Sequence, residues 1–369
     1  MSRILDRIFK YLNESLSHND WFKSKARLAI YYAQKGDSIA AAKQVSQIRN
    51  ALKVHDSAYG VVYANLAEAT ICFQGGSNGE AVSKSRRAYA LSKALSDKGL
   101  ISMSSAWLAH FFFNAGQYEN AINSASECLA EPNYCEKIAT ARACLVIANL
   151  YHFFDNFQSA KEWYDAARIA AVDEGDEVMI GVILYNIVTY RLNNTRMSQL
   201  TAGSFDFNTF RLNLEAASSS NFDSGVQSSA LPLLLPFLNA QVLTLNGRFS
   251  EAAELFEKWL FRDVSGDMKR LYPALRADYA WCLANIGRKN EALHELSMVD
   301  AGLSICDAPD DRAMALNRAA MVYSFFGDTD FALECLNNMK IALAEHRIIQ
   351  ERVLTKMNSH FRKKPKNLN

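Results

Sequence analysis

The sequence predicts an all-α fold built as a solenoid, in which helical hairpins of similar length stack one on the next. Three observations support this prediction. A turn residue recurs at a nearly constant spacing, alanines recur at fixed distances on both sides of it, and only 6 Pro occur among 369 residues. Self-similarity at a period of about 40 residues is typical of repeat proteins, because each repeat buries its apolar face against its neighbours.

The recurring turn residue is Gly, Asp or Asn, the residue types that most readily take the left-handed conformation at the end of a helix. Its copies are Gly36, Gly76, Gly116, Asp155, Asn194, Gly247, Gly287 and Gly327. Successive copies are 40, 40, 39, 39, 53, 40 and 40 residues apart. Each copy is expected to join the two helices of one hairpin, so the sequence predicts about eight hairpins.

Alanine flanks seven of these turn residues at two fixed distances. Seven residues before the turn stand Ala29, Ala69, Ala109, Ala148, Ala240, Ala280 and Ala320. Five residues after it stand Ala41, Ala81, Ala121, Ala160, Ala252, Ala292 and Ala332. Because two helices approach closely only where both carry small side chains, each pair of alanines predicts where the helices of one hairpin cross.

The pattern is clearest from Ala109 to Ala121, which reads Ala-x-x-Phe-x-x-x-Gly-x-Tyr-x-x-Ala. It resembles the tetratricopeptide repeat family over about residues 24 to 340. The longer period resembles the extended repeats of kinesin light chains and of bacterial regulators of this family, so each helix is expected to be longer by about a turn. The closing Pro of the family is missing nearly everywhere. The resemblance implies a right-handed superhelix of about eight hairpins with capping helices.

Capping helices are predicted at both ends of the solenoid. Residues 1–17 carry Ile4 and Ile8 in an amphipathic pattern and are expected to cover the first repeat, the alternative being a helix on a membrane surface. Residues 18–200 hold units one to five, and residues 230–340 hold units six to eight. Residues 341–369 are predicted to be a C-terminal capping helix followed by a basic tail.

The fifth unit departs from the pattern. Its first helix is predicted from Val178 to Asn193, followed by a turn at Asn194, and Gln199 stands where alanine is expected. Residues 201–229 are rich in Ser and Asn and are predicted to be an irregular insertion. Three interpretations stay open for this segment: a hinge, a loop that fills the groove, or drift of one unit without consequence.

Composition argues against several classes of protein. Lys and Arg number 40 against 39 Asp and Glu, and this net charge of +1 does not favour nucleic acid as a partner. The most apolar run, from Leu231 to Leu245, is shorter than the roughly 20 residues that a membrane span needs. The seven Cys form no CxxC pair, which is typical of a reducing compartment. We therefore expect a soluble, cytoplasmic protein with no membrane partner.

No catalytic or metal-binding motif is recognisable. His294-Glu295 lacks the second His of HExxH, and the glycine-rich residues 74–79 lack the Lys-Ser/Thr ending of a phosphate-binding loop. GxSxG and metal-ligand spacings of His and Cys are absent from the sequence. We expect no catalytic residue, no metal site and no cofactor.

The candidate binding site is the concave face that the first helices of the hairpins line in such arrays. Residues about six, nine, ten and thirteen positions before the turn form one stripe on that face. Aromatic side chains interleaved with Arg and Asn are typical of a peptide-binding groove. The candidate residues are Lys23, Arg27, Tyr63, Trp107, His110, Arg142, Asn149, Tyr185, Gln241, Asp278, Trp281, Asn317 and Arg318. An alternative for Trp107 and Trp281 is that they only pack against the next hairpin.

The leading functional hypothesis is a non-catalytic scaffold or adaptor that binds a peptide segment or helix of another protein in the concave groove. The alternative is a signal-responsive regulator that binds a peptide or small effector and acts through a partner protein. A third hypothesis, an enzyme, would need a polar pocket around His110, His152 and Asp278.

Overall fold

The fold is that of a computed structural model, which describes residues 3–14, 17–202, 216, 219, 234–261, 271–304 and 306–361. Within these ranges the chain forms sixteen α-helices and no β-strand, so the predicted all-α, helical-repeat fold is confirmed. None of the helices in these ranges is both long and apolar enough to cross a lipid bilayer.

The helices follow one another in short succession. The first ten are α1 (Arg3–Glu14), α2 (His18–Gln34), α3 (Ser38–Leu52), α4 (Ala58–Gln74), α5 (Asn78–Ala94), α6 (Lys98–Asn114), α7 (Tyr118–Leu129), α8 (Lys137–Phe153), α9 (Phe157–Glu174) and α10 (Glu177–Ala202). The others are α11 (Leu235–Leu245), α12 (Phe249–Leu260), α13 (Tyr272–Asn285), α14 (Lys289–Leu303), α15 (Pro309–Phe325) and α16 (Thr329–Phe361). A 3₁₀ turn at Pro132–Tyr134 separates α7 from α8.

Seven of the eight predicted turn residues end a helix in the left-handed conformation. Their φ angles run from 61° at Asp155 to 83° at Gly327. At Gly116 the N–H donates to the carbonyl of Phe113 at 3.1 Å, and the N–H of Gln117 donates to the carbonyl of Phe112 at 2.9 Å. These paired bonds satisfy the last carbonyls of α6, and the same arrangement recurs at the other six turns.

The alanines on both sides of the turns lie in the core. All fourteen are at most 4% exposed, and most are fully buried. The hairpins α2–α3, α4–α5, α6–α7, α8–α9, α11–α12, α13–α14 and α15–α16 thus each combine a left-handed turn with a buried pair of alanines.

The predicted turn at Asn194 is wrong, because α10 runs without interruption from Glu177 to Ala202. The hydroxyl of Thr195 donates to the carbonyl of Arg191 at 2.8 Å, as a threonine inside a helix commonly does. One residue further on, Arg196 forms a buried ion pair with Asp278 of α13. The proposed insertion at residues 201–229 falls almost wholly outside the described residues.

The chain divides into two compact units. Unit 1 contains α1 to α9, α10 up to Asn186, and α16 from Val353. Unit 2 contains α10 from Ile187, α11 to α15, and α16 up to Arg352. The repeat pattern predicted that unit eight ends at residue 340 and that a separate capping helix follows. In the structure, α16 runs through residue 340 as one helix.

In unit 1, α1 packs on both the first and the last repeat. Ile4 and Ile8 form an apolar cluster with Leu28 of α2 and with Val178 of α10. The guanidinium of Arg7 donates to the carbonyls of residues 173 and 174, at 3.1 and 3.0 Å, where α9 ends. A positive charge at a helix C-terminus is favourable, because it meets the negative end of the helix dipole.

We predict that Gly116→Ala lowers the free energy of unfolding by about 1 kcal/mol, because an L-residue with this positive φ is strained. Its φ is +70° and a Cβ there would meet nothing within 4 Å, so the effect is one of backbone conformation alone. Gly79→Ala, in the first turn of α5 and equally free of contacts, is the matched control. Urea unfolding followed by circular dichroism should show the loss only for Gly116→Ala; equal midpoints for both variants would contradict the assigned turn.

Candidate functional site

Two long-range ion pairs close unit 1 on itself at the first of the candidate residues. Lys23 Nζ lies 2.6 Å from Glu136 Oε1, and the two residues are 113 positions apart in the chain. Arg27 pairs with Glu174, which is 147 positions away. These pairs hold α2 beside the start of α8 and the end of α9, so the first repeat contacts later repeats of unit 1.

Trp107 and Arg142 form a buried pair in unit 1. The Arg142 guanidinium lies 3.5 Å from the centroid of the Trp107 ring, a cation–π contact, and the two residues are 3% and 2% exposed. The Nε and Nη2 atoms of Arg142 are buried with no hydrogen-bond partner. Burial lowers the pKa of Arg142 to about 10, although the charge of Asp176 opposes the shift.

The groups around this pair compensate its charge only in part. Asp176 is buried and accepts the N–H of Met179 at 3.0 Å at the start of α10, and burial raises its pKa. His110 lies edge-on to Trp107, where desolvation and the charge of Arg142 hold its pKa well below the usual value, so this imidazole is neutral at pH 7. Arg142 is therefore a buried cation without a close counter-ion.

The other candidate residues of unit 1 are also engaged within it. Tyr63 is 8% exposed, and burial raises the pKa of its hydroxyl. The side-chain oxygen of Asn149 accepts from the Tyr164 hydroxyl at 3.0 Å and from the Asn186 amide at 3.2 Å. Tyr185 lies half-buried on α10.

The three residues that the enzyme hypothesis names, His110, His152 and Asp278, are buried or partly buried among other side chains. His152 is 1% exposed, and its Nδ1 lies 3.2 Å from the hydroxyl of Tyr164. Asp278, the third residue of that hypothesis, belongs to unit 2 and is enclosed by other side chains. Among the described residues, no group of three or more His, Cys, Asp or Glu is placed to hold a metal ion.

In unit 2 the buried carboxylate of Asp278 joins four helices. Its two oxygens accept from Arg196 of α10 at 2.9 and 2.8 Å. They also accept from Arg318 of α15 at 3.0 Å and from Gln241 of α11 at 3.0 Å. Asp278 is 1% exposed, so three of the candidate residues serve an internal network instead of facing a solvent-filled groove.

The remaining two candidates, Trp281 and Asn317, line an open recess between α13 and α15. The recess has a volume of about 440 Å³. Its wall is made of Trp281, Asn317, Ala320, Met321, Ser324, Phe325 and Leu336. The rings of Trp281 and Phe325 meet edge to face with centroids 6.0 Å apart, and Phe325 is 54% exposed. This recess is apolar on its floor, with the amide of Asn317 and the hydroxyl of Ser324 on its wall.

Sequence reasoning missed Met321 and Phe325, although their spacing carried a signal. They follow Asn317 by four and eight residues and so lie on the same face of α15. Met321 stands six residues before Gly327, at a position of the candidate stripe, but it is not among the candidate residues. Phe325 stands two residues before Gly327, beyond the end of the stripe, and extending the stripe towards the turn finds it.

No family model matches the chain, and no curated protein matches it significantly. Membership of the tetratricopeptide repeat family therefore stays a prediction, and the function is argued from the geometry of the two units.

We predict that Asp278→Asn lowers the free energy of unfolding by about 3–5 kcal/mol, because it leaves two buried guanidinium groups without a counter-ion. Arg248→Gln is the control: it removes an exposed ion pair with Glu251 in the same unit and should leave the midpoint unchanged. Thermal and urea unfolding compare the two variants with the wild type. A midpoint for Asp278→Asn equal to that of the control would show that the network does not hold unit 2 together.

Proposed function

We propose that this protein is a non-catalytic interaction module, a scaffold or adaptor that binds a short segment or helix of a partner protein. The observation that supports it is the open recess of unit 2, which Trp281 and Phe325 line with their rings packed edge to face. Aromatic residues on the wall of an open recess are the common anchors of protein interfaces.

The chemistry of the recess suits an amphipathic or extended segment. An apolar side chain of the partner would pack against the rings of Trp281 and Phe325, while the amide of Asn317 and the hydroxyl of Ser324 on the wall lie near its polar groups. Burying the exposed part of Phe325 would remove apolar surface from water, which is favourable by about 25 cal/mol per Å² before the costs of association. Most candidate residues of unit 1 are buried or ion-paired, with His110 and Tyr185 only partly buried, so we assign binding to unit 2.

A second function, binding of a small effector in a signal-responsive regulator, is supported by the volume of the recess. A volume of about 440 Å³ falls within the range of small-molecule sites. Such sites enclose most of the ligand surface, whereas here Phe325 stays more than half exposed. The open geometry therefore favours a protein segment over a small molecule. We further propose a cytoplasmic setting, which is supported by the seven cysteines, all of them free thiols.

We predict that the double variant Trp281→Ala, Phe325→Ala loses its partner. Each change removes an aromatic anchor, and anchors of this kind typically contribute about 2 kcal/mol or more to binding. Affinity capture from the source cells, followed by mass spectrometry, should show proteins retained by the wild type and absent with the variant. The segment identified in this way is then synthesised, and its dissociation constant is measured with each form of the protein.

Phe331→Ala is the matched control, because Phe331 is also 54% exposed but does not line the recess. It should bind like the wild type, and circular dichroism should give the same helicity for all three proteins. If every captured protein depends equally on Phe331 and on the recess residues, or on neither, the assignment of binding to this recess is wrong. Saturation by a small metabolite with no effect of either variant on protein capture would favour the effector hypothesis.

A further inference from the structure

Two cysteines that the sequence does not pair lie side by side in unit 1. Cys128 is buried in the last turn of α7, and Cys135 follows the 3₁₀ turn and is partly exposed. Their Sγ atoms are 3.7 Å apart. A disulfide needs about 2.05 Å between the sulfurs, so the two must approach by about 1.7 Å more. They are seven residues apart in the chain, so they do not form a CxxC motif.

The surroundings of Cys135 favour its thiolate form. The hydroxyl of Thr140 lies 3.1 Å from Cys135 Sγ and 3.2 Å from the carbonyl of Glu136, so its one proton can be given to either acceptor. A thiolate is the stronger acceptor, because hydrogen bonds to a charged group are the stronger ones. Cys135 also lies just before the first turn of α8, where the positive end of the helix dipole stabilises an anion.

The two thiols differ in pKa. The hydrogen bond from Cys128, with further help from Ser102 and Thr140, lowers the pKa of the Cys135 thiol despite its partial burial. Burial raises the pKa of the Cys128 thiol. At neutral pH the pair is thus a partly exposed thiolate beside a buried, protonated thiol.

We propose that Cys135 is a modification site for hydroperoxides and that Cys128 is the thiol that resolves it to an intramolecular disulfide. In the first step the Cys135 thiolate attacks one oxygen of the hydroperoxide. The S–O bond forms, the O–O bond breaks, and hydroxide or alkoxide leaves, which gives a sulfenic acid. In the second step the Cys128 sulfur attacks the sulfenic sulfur. The S–S bond forms, and the hydroxyl leaves as water with the proton of Cys128.

The two steps balance, because two thiols lose two electrons in total and one hydroperoxide is reduced. They need no residue of the unit 2 recess, so this proposal stands apart from the proposed binding function. The structure also supplies an internal comparison. Cys72 on α4 is partly exposed like Cys135, but burial and the nearby Glu80 raise its pKa, so it should react slowly.

The test uses the reduced full-length protein and hydrogen peroxide at pH 7. Remaining thiols are then blocked with N-ethylmaleimide, and the peptides are mapped by mass spectrometry without reduction. We expect a cross-link between Cys128 and Cys135, two hydrogens lighter than the reduced pair, while Cys72 is alkylated. In the Cys128→Ser variant we expect a sulfenic acid at Cys135 that dimedone traps. Cys72→Ser should leave the cross-link unchanged.

A second measurement needs no variant. In the wild-type protein, iodoacetamide should label Cys135 about tenfold or more faster than Cys72 at pH 7, since the thiolate is the reacting form. Labelling of Cys135 no faster than that of Cys72 would overturn the proposal. So would oxidation of Cys135 to the sulfinic acid with Cys128 left reduced, because the second thiol would then have no part in the reaction.

Discussion

The close crossing of two helices at a pair of alanines is the constraint on which every hairpin depends. Such a crossing is compact only if the chain reverses within a few residues, which a left-handed turn allows. Glycine takes that conformation without strain, and Asp155 is the one non-glycine residue that does so among the seven turns. The turn and the alanines thus act together, and each successive hairpin buries its remaining apolar surface on the next.

Buried arginines then distinguish the two units. In unit 2 the guanidinium groups of Arg196 and Arg318 share the carboxylate of Asp278. Burying each charge is costly, but the shared hydrogen bonds connect three helices. In unit 1 the guanidinium of Arg142 rests on the ring of Trp107 with two nitrogens unpaired. In the first arrangement both guanidinium groups donate hydrogen bonds to a carboxylate, whereas in the second the charge of Arg142 is compensated only in part, by Asp176.

Burial of the candidate residues in unit 1 and the open recess in unit 2 are the basis on which we propose that a partner binds unit 2. Ion pairs such as Lys23–Glu136 bring the first repeat against later repeats, and the aromatic side chains of Tyr63 and Trp107 are buried. In unit 2, Trp281 lies beside an exposed Phe325 and lines an open recess. The thiol pair near the start of α8 is the site of the oxidation that we propose for unit 1, and this reaction does not involve the recess.

The sequence by itself determined the local architecture: the helices, seven of the eight turns and the buried alanines, because each follows from a conformational preference or a side-chain size that acts within one hairpin. It could not determine which concave residues stay open. Trp107 and Trp281 belong to the same candidate stripe, nine and six residues before their turns, yet one is buried and the other lines a recess. Only the tertiary structure decided this, because it depends on ion pairs, such as Arg196–Asp278, between residues far apart in the chain. The continuous α10 and the Cys128–Cys135 contact escaped prediction for the same reason, since both depend on which surfaces meet once the repeats have stacked.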